Sequence, residues 1–261
     1  MNIENPPGFV VRMEAQKAAS DNGFRIEREI ADGWMRYGST TAHGEIWIGG
    51  VSPHGPWFLS VSHAGVAAEL GASMPNVDGP GLGHFSFSTL GELHRAVKRA
   101  YRLGVSLPDA PLDQFRKSTQ QMPRTTEVER IVVQRVGQDI FRKALLAYWN
   151  GRCPMTGITD PALLKASHIV PWAECDGDAQ RLDVHNGLLL SALWDAAFDA
   201  RRVSFADNGD VILHSSLGQL DRKVLLEGAS ARLTGLTTKH LSNLAQHRAR
   251  MLSTDATPAA P

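Results

Sequence analysis

Between Lys165 and Ala200 the chain reads KASHIVPWAECDGDAQRLDVHNGLLLSALWDAAFDA, and His168, His185, Asn186, Asp195 and Asp199 in it are side chains a core does not need. An imidazole titrates near neutrality and can take a proton from water. Two carboxylates four residues apart share one helix face and can hold a divalent cation through oxygen. Such a cation favours the charge that builds on an attacked phosphate and on the alkoxide leaving it. An amide can orient the base or complete the metal shell. The set suits hydrolysis of a phosphodiester.

The surrounding pattern supplies elements to carry it. LLKASHIVP reads as a strand ending at Pro171, which cannot donate into a ladder, with His168 near the strand end. NGLLL opens with a turn pair and continues as a short apolar strand. SALWDAAFDA reads as a helix that Ser191 can cap, with Leu193, Ala197 and Phe198 as apolar contacts. Two strands and a helix would thus gather one imidazole, one amide and two carboxylates. His185 reads as structural, and Trp172 and Trp194 as core rather than base-stacking platforms. Upstream, a helix is expected from Glu127 to Asn150, with a break at Gly137 and Gly151 as its cap. Downstream, FADNGDVIL reads as a hairpin with a tight primed turn at Asn208-Gly209.

The first third is different in kind. FRIEREI, WMRYGSTT, GEIWIGGV and PWFLSVS alternate apolar and polar residues between Gly, Pro and Asp signals, which predicts an antiparallel sheet. A short helix is expected in AGVAAELGA, and NVDGPGLGHF is too rich in Gly and Pro for regular structure. Thr89 and Glu92 form a capping box for a helix with Leu90, Leu93, Val97 and Tyr101 on one face and Gly104 just past its end. Its other face carries Arg95, Lys98, Arg99 and Arg102, either a solvated stripe or one that contacts phosphates. His43, His54, His63 and His84 are scattered rather than spaced as a zinc set. The expected organisation is an N-terminal recognition domain over residues 1–105, a Pro-rich linker over 106–126, a catalytic domain over 127–252 and a disordered tail over 253–261.

Length and composition bound the rest. A chain of 261 residues with 43% hydrophobic and 21% charged residues can bury a full core. No apolar run approaches a membrane span and no secretory signal is visible, so the expected location is cytoplasmic. Cys153 and Cys175 make no CxxC pair and read as reduced, buried small hydrophobes. With 27 basic and 27 acidic residues the formal net charge is zero, so a polyanion must be held by a local patch.

The combination of RVGQDIFRKALLAYWNGRCPMTGI, LLKASHIVPW, RLDVHNGLLLSALWDAAFDA, VSFADNGDVILHSSL and LTTKHLSNLAQHR resembles the HNH endonucleases, in the branch whose first motif is A/S-H-I-x-P-W. The resemblance runs over roughly residues 128–250. It implies an α+β chain whose C-terminal part is a ββα-metal core with flanking helices, beside an N-terminal, mainly antiparallel-sheet domain with a helix. By the same resemblance His168 is the general base, Asn186 the central asparagine shared between catalysis and metal binding, Asp195 a metal ligand and Asp199 a second. Ser167 stands where many members carry Asp or His, and would reach a metal through a bound water; Asp183 or His185 could also contribute. The implied cofactor is a divalent ion, Mg2+ before Mn2+ or Ni2+. The implied substrate is double-stranded DNA, with restriction of foreign DNA as a role, and two nicks on opposite strands would favour a homodimer. Two other readings stay open: a nuclease-derived module that holds DNA without cutting it, and an RNA nuclease or toxin-like hydrolase.

Overall fold

A computed structural model of the chain describes residues 3–71, 79–123 and 125–255, with the side chains of 254 and 255 left aside. The chain divides into two compact units, Met1–Ala110 and Pro111–Pro261.

Unit 1 is built on a five-stranded antiparallel sheet in sequential order: β1 (Ile26–Ala31), β2 (Trp34–Gly38), β3 (Ile46–Gly50), β4 (Trp57–Val61) and β5 (Gly83–Phe87). The first four strands lie where alternation predicts them. β5 starts inside the Gly/Pro-rich stretch expected to be irregular; Asn76–Asp78 of that stretch lie outside the described residues. Pairing explains the strand: Trp57↔Phe87, Leu59↔Phe85 and Val61↔Gly83 bring it onto the fully buried β4. Helix α1 (Phe9–Ser20) has no side-chain cap to announce it, and it buries Val11, Ala15, Ala18 and Ala19. α2 (Ala64–Leu70) follows β4 as expected.

The Thr89/Glu92 capping box is present at the start of α3 (Leu90–Ser106), which buries Leu93, Val97, Ala100 and Leu103. Gly104 does not end this helix. A Cβ there would meet the His43 carbonyl oxygen at 2.9 Å, so the glycine permits a close approach inside the helix. Along the basic face Arg95, Lys98 and Arg99 are exposed, but Arg102 is not a free contact residue. Its Nε and Nη1 are buried without a hydrogen-bond partner, and burial, then the charge of Arg99, pulls its pKa down. Two of the scattered histidines do meet: His43 Nδ1 and His63 Nε2 lie 2.8 and 2.9 Å from the same oxygen of Asp109. Burial pushes the Asp109 carboxyl up, but hydrogen bonds from His63 and His43 outweigh it and the net shift is downward.

The stretch expected to be a linker contains α4 (Asp109–Thr119), and the division between units falls within it. Unit 2 then runs through α5 (Glu127–Tyr148), β6 (Leu164–His168), α6 (Asp178–Arg181), β7 (Gly187–Ser191), α7 (Ala192–Asp199), β8 (Val203–Phe205), β9 (Val211–Leu213), α8 (Gln219–Leu226) and α9 (Thr238–Asp255). α5 does not break at Gly137, where a Cβ would sit 2.5 Å from the Trp172 ring and 3.3 Å from that of Phe115. Its end is closed at Gly151, φ +61°, whose N–H donates to Leu146 O at 2.7 Å. The β8–β9 turn is not a primed pair: Asn208 has no positive φ, Gly209 does, and Gly209 N–H closes on Ala206 O. That pattern is a type I turn followed by a left-handed glycine. α9 runs to Asp255, into the expected tail, the rest of which lies outside the described residues.

The core of unit 2 gathers Phe141, Leu145, Leu164, Leu188, Leu189, Leu190, Trp194, Phe198 and Phe205, all close to fully buried. Cys153 and Cys175 are free and buried, as expected. No described helix is long and apolar enough to cross a membrane.

Candidate active site

β6 and β7 pair antiparallel with His168 opposite Gly187 and Ser167 opposite Leu188. The bare Gly187 matters. A Cβ at that position would lie 2.4 Å from Phe141 Cζ, so only glycine lets α5 press its Phe141 ring against the strand end. The ring stacks on His168, with centroids 3.8 Å apart and planes 18° from parallel. Trp172 meets the same imidazole edge-on at 5.6 Å. On α5, Arg142 donates to the carbonyls of Leu164 and Pro161 at 2.7 and 2.6 Å and ties the helix to the start of β6.

His168 Nε2 lies 2.9 Å from the carbonyl oxygen of Arg181. A carbonyl only accepts, so Nε2 carries the proton and Nδ1 of the neutral ring is left with its lone pair. Nδ1 has no partner among the described residues. Burial lowers the His168 pKa, and the bond to Arg181 opposes that only in part. The imidazole is thereby kept neutral, oriented and able to accept a proton. Arg181 is itself held by its own side chain, which donates to Trp172 O at 3.1 Å, pairs with Asp178 at 3.0 Å and lies over the Trp172 ring.

One residue before the imidazole, the buried Ser167 donates Oγ–H to Asp195 Oδ1 at 2.5 Å. This bond joins β6 to the first turn of α7. Ser191 precedes α7 but makes no side-chain cap bond, contrary to the expectation. Asp199 follows Asp195 by one helical turn, and its carboxyl is raised to about 6 by removal from water and then by the negative charge of Asp195. Neither Asp199 nor Asp195 Oδ2 has a partner among the described residues.

Asn186 has a different place from the one expected. Its side chain is 0% exposed. Oδ1 accepts from Val170 N at 2.8 Å, and Nδ2 donates to Val170 O and Gln180 O at 3.2 and 3.3 Å. Fully buried and bonded through both polar atoms to the loop backbone, it braces the loop between β6 and β7, a supporting place and not the catalytic and metal-binding one expected. Asp183 and His185 are also structural. Asp183 Oδ1 caps the turn at His185 N and bonds His185 Nδ1 at 2.7 Å, while the buried His185 ring packs on Tyr148 and His240.

The structure therefore joins Ser167 to Asp195 and sets Asp199 one turn away, while His168, the next residue of β6, leaves the strand on the other face, against Phe141, Trp172 and the Arg181 carbonyl. Sequence reasoning missed the Arg181 carbonyl, because a backbone acceptor leaves no mark on residue type. Phe141 did have a signal, in the Phe-Arg pair of the upstream helix.

A cation can be tested against these donors. Among the described residues no group of three or more His, Cys, Asp or Glu is placed to hold a metal. The candidate set is two carboxylates and a hydroxyl, all oxygen. Mg2+ binds through one or two carboxylates and keeps several waters, so a sparse oxygen set fits it, whereas Ni2+ favours imidazole. Burial first and the charge of Asp195 second raise Asp199, and the second of these is what a cation between the carboxylates would relieve.

No curated protein matched the chain. A family model did, over the stretch that holds β6, β7 and α7: residues 153–206 match the model of the HNH endonucleases.

Proposed function

We propose that this protein is a metal-dependent endonuclease that hydrolyses phosphodiester bonds in double-stranded DNA. The observation that carries the reading is the end of β6, where consecutive residues give an imidazole with Nε2 anchored and Nδ1 free and a serine bonded to a helical carboxylate. His168 Nδ1 takes the proton from the attacking water. The Arg181 carbonyl favours the imidazolium that forms, and the Phe141 and Trp172 rings fix its plane and limit water around it. Asp195 and Asp199 would hold Mg2+, with Ser167 setting the Asp195 rotamer. The ion, when bound, supplies positive charge to the scissile phosphate and the departing 3′ oxygen. Asn186 acts at a distance, by fixing the loop that carries Arg181.

The test is supercoiled plasmid incubated with wild type and with His168→Ala in Mg2+, Mn2+ or Ni2+, beside single-stranded RNA under the same conditions. Nicking of DNA by wild type, lost in a folded His168→Ala, supports the proposal. Equal nicking by both removes His168 from the mechanism. Cleavage of RNA alone reassigns the substrate, and DNA binding with no cleavage in any metal makes the module a non-cutting binder.

A further inference from the structure

Unit 1 holds a cleft of about 350 Å³ between α1 and the β1–β2 hairpin, inside the size range of ligand pockets. Its apolar surfaces are Phe9, Met13 and Ile30, which are 76%, 53% and 44% exposed, and the buried Met35. An exposed aromatic ring beside a methionine and an isoleucine gains nothing from water. The polar side of the cleft is more telling. Arg28 and Arg36 line it but are already paired, with Glu45 and with Glu29 and Glu45. Arg12, Gln16, Glu27 and Tyr37 line it too, and none of these has a hydrogen-bond or ion-pair partner among the described residues. Tyr37 is the informative member. It is 4% exposed, yet its hydroxyl is not shut off from solvent, so an otherwise buried side chain puts a polar group in the wall of the cleft.

We propose that this cleft receives a single nucleobase of a nucleic-acid strand, displaced from its stack. The inference rests on the proposed nuclease reading for the class of partner, and on the cleft alone for the mode of binding. A base is flat and apolar on its faces, which suits Phe9 and the methionines. Its edge presents both donors and acceptors, which suits the Tyr37 hydroxyl, the Gln16 amide and the Glu27 carboxylate; a carboxylate accepts from exocyclic amino groups. Arg12 supplies the positive charge for an adjoining phosphate. An aliphatic ligand would leave the polar groups unpaired, and an inorganic anion would leave the apolar wall uncovered.

The experiment uses the full chain in EDTA, so cleavage plays no part. The probe is a single-stranded oligonucleotide with one central 2-aminopurine. Wild type should change the probe's fluorescence on binding. Tyr37→Phe, which removes only the hydroxyl, and Phe9→Ala should each weaken binding about tenfold or more, the loss of one buried polar contact or one stacked base. Glu227→Gln, on the exposed end of α8 in unit 2, should leave the fluorescence change intact. No fluorescence change with wild type, or affinities for both variants equal to wild type, would overturn the inference. Failure of plasmid nicking with a Tyr37-dependent signal retained would count against the nuclease reading and not against the cleft.

Discussion

At Asn186 the residue type suggested catalysis and the contacts say support. Asn186→Ala leaves the buried Val170 N–H without a partner and takes one of the donors from each of the Val170 and Gln180 carbonyls, which costs about 1–3 kcal/mol. The expected outcome is a lower urea midpoint together with lost activity, where a ligand role would have lost activity alone. His247 carries a second residue-scale prediction. Its ring lies flat on Phe198 at 3.9 Å, with Nε2 bonded to Phe198 O, and burial lowers its pKa from 6.5 to about 4. A histidine held neutral by the fold contributes stability that is present above 6.5 and is lost as pH falls toward 4. Thermal unfolding should therefore drop over that window. His247→Phe, which cannot be protonated, should show a shallower drop.

At the scale of elements, glycines decide how closely helix and strand approach. Gly187→Ala would put a methyl 2.4 Å from Phe141 Cζ, and overpacking of this kind costs about 1–3 kcal/mol. The ring that must give way is the one stacked on His168, so nicking should fall more than the melting temperature predicts. Gly137→Ala tests the same idea in α5. Alanine normally gains about 1 kcal/mol over glycine inside a helix, but here the new methyl meets Trp172 at 2.5 Å, and the variant should be less stable in denaturant. Alternation and capping made β1 to β4, α3 and the β6–β7–α7 order legible. Gly104 and Gly137 were misread because a glycine in a helix looks the same whether it ends the helix or admits a neighbour. α1 left little signal because alanines form much of its buried face and no side chain caps it.

For the molecule as a whole, a formal net charge of zero removes any general attraction to DNA, so the proposed binding would have to come from patches. Arg95, Lys98 and Arg99 are the exposed members of the α3 stripe; Arg102 is withdrawn from it. Replacing the three with alanine should lower the slope of log affinity against log salt for duplex DNA by up to about 3, at roughly 0.9 per phosphate. Anisotropy titrations over a range of salt concentrations check this, and an unchanged slope would make the stripe a solvated face.

Residue types and spacing alone determined that an imidazole and two helical carboxylates follow one another on two strands and a helix, because period and turn chemistry are local properties. The tertiary structure alone decided which nitrogen of His168 is free, that Ser167 rather than Asn186 meets Asp195, and that the 106–126 stretch holds a helix. Those outcomes depend on backbone carbonyls and on contacts between residues distant in the chain, which no local pattern records.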